Sequence, residues 1–447
     1  MDRNQADKAH RKSASPRTGK SAADAGSRQA ESAIITRVFT QVQEIPCEAW
    51  NALLARQPVP TPFMRHEYLA ALEASGSATL ETGWQPCFIT LWEGDELVAA
   101  CPLYAKNHSS GEYVFDWAWA RAYAEHGLEY YPKAVIAVPF TPVPGSRLLA
   151  RDAPLRALLA QTVRRWVQAQ DGWSSVHALF TEDADLAACR ADDWMQRGGV
   201  QFHWHNRAAQ GQRALRDFDD FLAQLQQEKR KKIRQERRKV AEAGVTFRAL
   251  HGAQITPADW DFFYGCYSRT YYEHGNPPYL SRDFFARMGA RMAAHWLLFI
   301  AERDGQPMAA SLIALDSAAA VAAAAAAAAT AAGAPGDGPQ GVAYGRYWGA
   351  LERVDCLHFE ACYYQPIAWC IANGIARFEG GAQGEHKMAR ALLPTPTASA
   401  HWIAHPAFAD AVDRFLAREG TGVQAYLEEL HAHSPLRAPA PAPLNPA

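Results

Sequence analysis

Residues 357–390, LHFEACYYQPIAWCIANGIARFEGGAQGEHKMAR, bring together two histidines, three glutamates, two glutamines, two tyrosines, one lysine and four glycines. His358, Glu360, Glu379 and His386 are the side chains in this span that can exchange a proton near neutral pH, as activation of an amine, hydroxyl or water nucleophile requires. The run Glu379-Gly380-Gly381-Ala382-Gln383-Gly384 leaves backbone N–H groups uncovered, which suits an anion or a developing oxyanion. Lys387 does not directly follow the last glycine, so the GxxxxGK[ST] spacing of a nucleotide phosphate loop is absent.

Local punctuation predicts the elements that hold these residues. Pro366 lacks an N–H and fits a first helical turn, so a short helix is expected to open at Tyr364 or Gln365 and carry Ile367, Cys370 and Ile371 as its apolar stripe. Asn373-Gly374 stops it. A brief buried strand over residues 375–378, the glycine turn and a second helix opening near Glu385 should follow. A strand over residues 342–348 is expected to put Arg346 and Trp348 on one face and Tyr347 on the other.

Three further stretches carry candidate chemistry. Tyr113, Phe115, Trp117, Trp119, Tyr123, Tyr130 and Tyr131 alternate with Asp116 and Lys133, which fits either a groove for an elongated polar ligand or a tryptophan-rich core with charged exits. Residues 228–239 hold eight Lys/Arg against two Glu. Lys232, Arg234, Arg237 and Arg238 there form either a solvated helix face or a surface for phosphates. His203 and His205 share one strand face, but without a third ligand nearby they fit polar positions better than a metal site.

The 447 residues are enough for two domains with sizeable cores, and 45 basic against 47 acidic side chains give no global field toward nucleic acid or membrane. The eight cysteines form no CxxC pair, a pattern that fits a reducing cytosol. Residues 1–32 read as a disordered leader and 435–447 as a Pro/Ala-rich disordered tail. No stretch has the length and apolarity of a membrane span, so a cytoplasmic location is expected. The alanine tract at 317–341 is expected to be a frayed helix or loop making few contacts.

Several of these motifs carry a resemblance. Arg346-Tyr347-Trp348-Gly349, Leu357-His358-Phe359-Glu360, Cys362-Tyr363-Tyr364-Gln365, the run from Glu379 to Lys387 and His401-Trp402-Ile403 resemble the signature of the FemAB-like N-acyltransferases. These are bacterial relatives of the Fem ligases that add amino acids to peptidoglycan precursors. Gly111-Glu112-Tyr113 and Tyr130-Tyr131-Pro132-Lys133 extend the resemblance upstream, and the alanine tract is the main departure from it. It implies an α/β (α+β) fold of tandem GNAT-like domains, each a mixed, mostly antiparallel sheet flanked by helices, at residues 33–210 and 211–434, with the basic helix at 217–243. It also implies transfer of an acyl or aminoacyl group from acyl-CoA or aminoacyl-tRNA to an amine, with a small molecule or muropeptide as acceptor, tRNA as a partner and no metal.

On that reading His358, Glu360, Glu379 and His386 are the candidate proton acceptors. The donor and acceptor would be held by Arg346, Tyr347, Trp348, Tyr363, Tyr364, Gln365, Gly380, Gly381, Gln383, Gly384 and Lys387. The aromatic segment, through Tyr113, Asp116, Trp117, Trp119, Tyr131 and Lys133, and the basic residues Lys232, Arg234, Arg237 and Arg238 would add to that surface. Two other classes stay open: a non-catalytic binding protein on the same fold, and a metal-dependent enzyme using His358, Glu360, Glu379 and His386 as ligands.

Overall fold

Where an α/β sheet parts two parallel strands it leaves a gap in which ligands can bind, and the described residues of this protein form two parallel pairs. The computed structural model describes residues 33–208, 213–329, 339–381 and 384–437. The expected leader, most of the expected tail, the end of the alanine tract and Gln383 lie outside the described residues.

The described strands are β1 (Ile34–Phe39), β2 (Trp84–Pro86), β3 (Phe88–Glu93), β4 (Glu96–Cys101), β5 (Leu103–Lys106), β6 (Lys133–Ile136), β7 (Leu149–Ala150), β8 (Ser175–Thr181), β9 (Met195–His205), β10 (Val245–His251), β11 (Trp296–Arg303), β12 (Gln306–Leu315), β13 (Gln340–Ala350), β14 (Ile375–Glu379) and β15 (Leu393–Ile403). They build a four-stranded sheet, β1-β3-β4-β7, and an eleven-stranded one, β10-β11-β12-β13-β14-β9-β15-β8-β6-β5-β2. The fold is thus mixed α/β, with mostly antiparallel sheets flanked by helices. β9 comes from mid-chain yet lies between β14 and β15, while β15 comes from the end yet lies between β9 and β8. These interleaved strands carry the sheet without a break across position 210.

The parallel pairs are β6–β8 and β13–β14. Pairing in the first stops at Ile136 and Ala178, and beyond it the chain fills the gap with its own residues 140–147. Gly145 N–H donates to the Phe180 carbonyl at 3.0 Å and Gln201 Nε2 to the Pro142 carbonyl at 2.8 Å. Arg147, fully buried, donates to the Val143 carbonyl. The second pair parts after Tyr344 and Glu379.

Four local expectations need correction or refinement. The helix through Pro366 begins about two turns earlier, at Leu357, and crosses a π turn over Glu360–Tyr364 before the α-helix Gln365–Ala372. The widened turn relieves the clash of the proline ring with the carbonyl four residues back and absorbs the missing N–H. The helix after the glycine turn opens at Glu385 as expected but is only a six-residue 3-10 segment, Glu385–Arg390.

Arg346 and Tyr347 do not point to opposite faces, because the β12–β13 register steps from Leu312↔Tyr347 to Ile313↔Gly345 and makes Arg346 the extra residue of a bulge. The Arg346 guanidinium therefore donates to Tyr347 Oη at 3.1 Å. The alanine tract, finally, begins as a docked helix, Ser317–Ala329. Ala319, Ala320 and Ala323 are buried, and Asp316 Oδ1 caps the Ala319 N–H at 2.7 Å. What alanine lacks in bulk it makes up in closeness, because the bare Gly341 lies directly against Ala319.

Candidate active site

Glu379 is the last residue of β14, opposite Tyr344 on β13 and His203 on β9. It is 3 % exposed. Its Oε1 accepts from Arg377 at 2.9 Å, while its Oε2 has no hydrogen-bond partner. Burial pushes the carboxyl up to about 7 against the pull of Arg377. His203 Nε2 lies 3.8 Å from Oε2. Burial, with Arg377 next, holds that imidazole down to about 3, so it is neutral and the contact is not an ion pair. His203 Nδ1, Arg346 Nε and Arg377 Nε are likewise buried without partners. Unpaired buried polar atoms cost free energy, and several of them at the mouth of a parted strand pair make this the candidate ligand site.

The other three candidate proton acceptors lie elsewhere and do not form one cluster with Glu379. His358 packs edge-on against Trp348 and Tyr363, and burial, with His386 next, lowers it to about 4. His386 Nε2 meets Tyr363 Oη at 3.2 Å. Glu360 accepts from Arg237 Nε at 3.2 Å and from Gln365 at 2.7 Å, so both its oxygens are engaged. Tyr364 donates to Glu236, which Arg390 also holds. Among the described residues no group of three or more His, Cys, Asp or Glu is placed to hold a metal ion.

The glycine turn is less open than its composition promised. A Cβ on Gly380 would meet Leu392 at 2.4 Å and Tyr363 at 3.4 Å, so Gly380 serves packing. Gly381 and Gly384 take positive φ angles of 87° and 114°. Lys387, 3 % exposed and lowered to about 8 by burial, donates its Nζ to the Gly381 carbonyl at 2.9 Å and closes the turn from within. Arg346 is similarly engaged, donating to the Phe140 carbonyl at 3.0 Å.

The basic helix, Gln227–Glu242, borders a groove of about 640 Å³ lined by Arg234, Arg237, Arg238, Glu360 and Gln365. Lys232 is exposed away from it. The aromatic segment divides: Trp119, Tyr123 and Tyr130 are core, Trp117 is exposed, and Tyr113 and Phe115 border a second cleft. Asp116, Lys133 and Tyr131 belong to a buried polar network: Lys133 Nζ pairs with Glu112 at 2.8 Å and with Asp116, and donates to Ser109, which meets Tyr131 Oη at 2.8 Å. Sequence reasoning passed over His203 as a site residue. The alternation of His203 and His205 was the signal, but it does not reveal that β14 would bring Glu379 beside one of them.

A family profile described as FemAB-like, peptidoglycan biosynthesis/recognition, matches residues 41–438. The chain belongs to the FemAB-like family. No curated protein matches its sequence. Among solved structures, this FemAB-like chain is similar to FemX at 9 % identity and a TM-score of 0.48, over 83 % of this chain and 98 % of that one. It is also similar to L-PGS from Bacillus licheniformis at 10 % identity and a TM-score of 0.46, over 83 % and 97 %. A tandem GNAT protein from the clavulanic acid biosynthesis pathway follows at 12 % identity and a TM-score of 0.39, over 84 % and 99 %.

Proposed function

We propose that this FemAB-like protein is an N-acyltransferase whose reacting groups meet beside Glu379. The observation that carries the reading is the buried, unpartnered Oε2 of Glu379 at the point where β13 and β14 part, with its carboxyl raised to about 7. A base of that strength is half ionised at neutral pH and can draw a proton from an amine as it attacks. The amine nitrogen forms a bond to the donor carbonyl carbon, and its proton passes to Glu379 Oε2. The tetrahedral intermediate then collapses as its C–S or C–O bond breaks, and the proton held on Glu379 passes to the departing thiolate of CoA or ribose alkoxide of an aminoacyl-tRNA. Neutral His203, 3.8 Å from Oε2, leaves the carboxylate's charge uncompensated.

The donor's phosphates would lie in the groove of Arg234, Arg237 and Arg238, and the acceptor amine would come from a cell-wall precursor. Purified protein screened for thermal stabilisation by acyl-CoA species, aminoacyl-tRNA and UDP-linked muropeptide identifies the pair. Transfer of labelled acyl group between the stabilising donor and acceptor then tests the activity. Stabilisation by no member of either class would count against the reading.

A further inference from the structure

A cleft of about 240 Å³ lies beside the amino-terminal half of β9, between Tyr113, Phe115, Arg197, Gly199, Gln201 and Ser399. Its only charged lining residues, Arg197 and Glu419, form a two-bond pair at 2.7 Å. The rest of its wall is uncharged, with Gln201, Thr397 and Ser399 among apolar neighbours.

The first polar feature of that wall is backbone. Gly380 N–H donates to the Phe202 carbonyl and Asn206 N–H to the Ala376 carbonyl, so the even-numbered residues of β9 turn their peptide groups toward β14. β14 ends at Glu379, and on its other side β9 pairs with β15 in unbroken register. Strand alternation therefore turns the N–H and C=O of Val200 and Gly198 toward the cleft, where among the described residues they find no partner. Gly198 and Gly199 keep this stretch bare, and a Cβ on Gly198 would only touch Val423 at 3.7 Å.

The second feature is the direction of a buried hydrogen-bond chain ending at Ser399. Burial works against the Asp116 charge, but the adjacent Lys133 ammonium outweighs it, so Asp116 is ionised and can only accept. Tyr130 O–H donates to Asp116 Oδ2 at 2.7 Å, and Ser174 O–H donates to the Tyr130 carbonyl, so Ser175, 3.0 Å away, donates to Ser174; Ser175 Oγ at 2.8 Å and Tyr130 Oη at 3.1 Å then both accept from His177 Nε2. Burial keeps both His177 and His401 neutral, with one N–H each. His177 Nδ1 is then bare and accepts from His401 Nδ1 at 2.8 Å. His401 Nε2, bare in turn, accepts the Ser399 hydroxyl proton at 2.8 Å. Each link follows from the one before, and the last turns the Ser399 hydrogen inward and leaves its lone pairs for the cleft.

We infer that this cleft binds a chain carrying secondary amides, which adds itself to the open edge of β9 at Gly198 and Val200 and donates an N–H across Gly199 to Ser399. The mode is strand addition, with main-chain groups supplying the bonds and Ser399 refusing a carbonyl or carboxylate in the donor's place. A peptide and the pantetheine arm of a CoA thioester share this chemistry. The inference does not depend on Glu379 as base.

The test titrates ¹⁵N-labelled full-length protein with acetyl-trialanine N-methylamide, with its analogue in which the central amide is an ester, and with pantetheine. Saturable shifts of the Gly198 and Val200 amides with the tripeptide or with pantetheine support the site and identify which source it takes. The ester analogue and Ser399→Ala are each expected to weaken binding about fivefold, the size of one lost hydrogen bond. The imidazole nitrogens should report His401 as the Nδ1–H tautomer and His177 as the Nε2–H tautomer. Glu379→Gln should bind the probes like wild type, whatever its effect on turnover. Failure of both amide probes to move these resonances at millimolar concentration, equal affinity for amide and ester, or the opposite tautomers would overturn the inference.

Discussion

His203 Nε2 and Glu379 Oε2 stand 3.8 Å apart across the β9–β14 pair, one imidazole held neutral and one carboxyl raised to about 7. Each group is poised by burial, and the strand interleaving that puts β9 beside β14 creates the contact. The protein therefore carries a buried acid whose ionisation burial opposes.

That cost sets a stability prediction. The folded Glu379 titrates near 7, above its ordinary 4.5, so the folded state loses stability as pH rises from about 4.5 and the loss is complete above about 7. Glu379→Gln, neutral and isosteric, should match wild type at pH 4.5 and exceed it by about 3 kcal/mol at pH 8. Urea unfolding at the two pH values measures this. A variant less stable than wild type at pH 8 would mean the ionised carboxylate is stabilising.

Lys133 is fully buried and pairs with both Glu112 and Asp116. Lys133→Met should cost about 3–5 kcal/mol by leaving two carboxyls without a counter-charge. Adding Glu112→Gln and Asp116→Asn should recover part of that loss. Equal unfolding midpoints for the single and triple variants would show that packing, not charge, sets the cost.

Gly341→Ala should destabilise by more than about 2 kcal/mol, because Gly341 has a φ of 75° and its Cβ would stand 2.2 Å from the Ala319 backbone nitrogen. The same docking predicts that deleting residues 318–335 lowers the melting temperature. An unchanged melting temperature in both variants would return the tract to the status of a passive loop.

Arg234 and Arg238 are exposed, whereas Arg237 also pairs with Glu360. Arg234→Gln with Arg238→Gln should weaken binding of a phosphate-bearing donor and lower the slope of log K against log salt by about 2, leaving the melting temperature alone. Arg237→Gln should in addition cost about 2 kcal/mol, since it strands a carboxylate that is 4 % exposed. A salt slope indifferent to all three arginines would make the helix face merely solvated.

Short-range physics made much of this legible. The apolar stripe of Ile367, Cys370 and Ile371, the stop at Asn373-Gly374 and the strand before Gly380 are all set by turn residues and periodicity within a dozen positions. The errors came where a neighbour in space overrode the local signal. Pro366 is tolerated in mid-helix because a π turn takes up its missing N–H, and the Arg346 bulge depends on β12, thirty residues upstream. At the site, Glu379 was legible as a titratable group, but His203, more than 170 positions earlier, meets it only through strand order. Glu360 illustrates the converse: its type suited a base, yet Arg237 and Gln365 occupy its oxygens.

The most direct measurement is the pH dependence of acyl transfer in wild type, Glu379→Gln and His358→Gln, with the donor and acceptor found by the stabilisation screen. If Glu379 is the base, kcat/KM for wild type and His358→Gln climbs tenfold per pH unit and levels near pH 7, where the buried carboxyl loses its proton. Glu379→Gln should lose that bend and fall about 100-fold or more with donor affinity unchanged. A Glu379→Gln enzyme that keeps both the bend and the wild-type rate contradicts the account and moves the chemistry away from the end of β14.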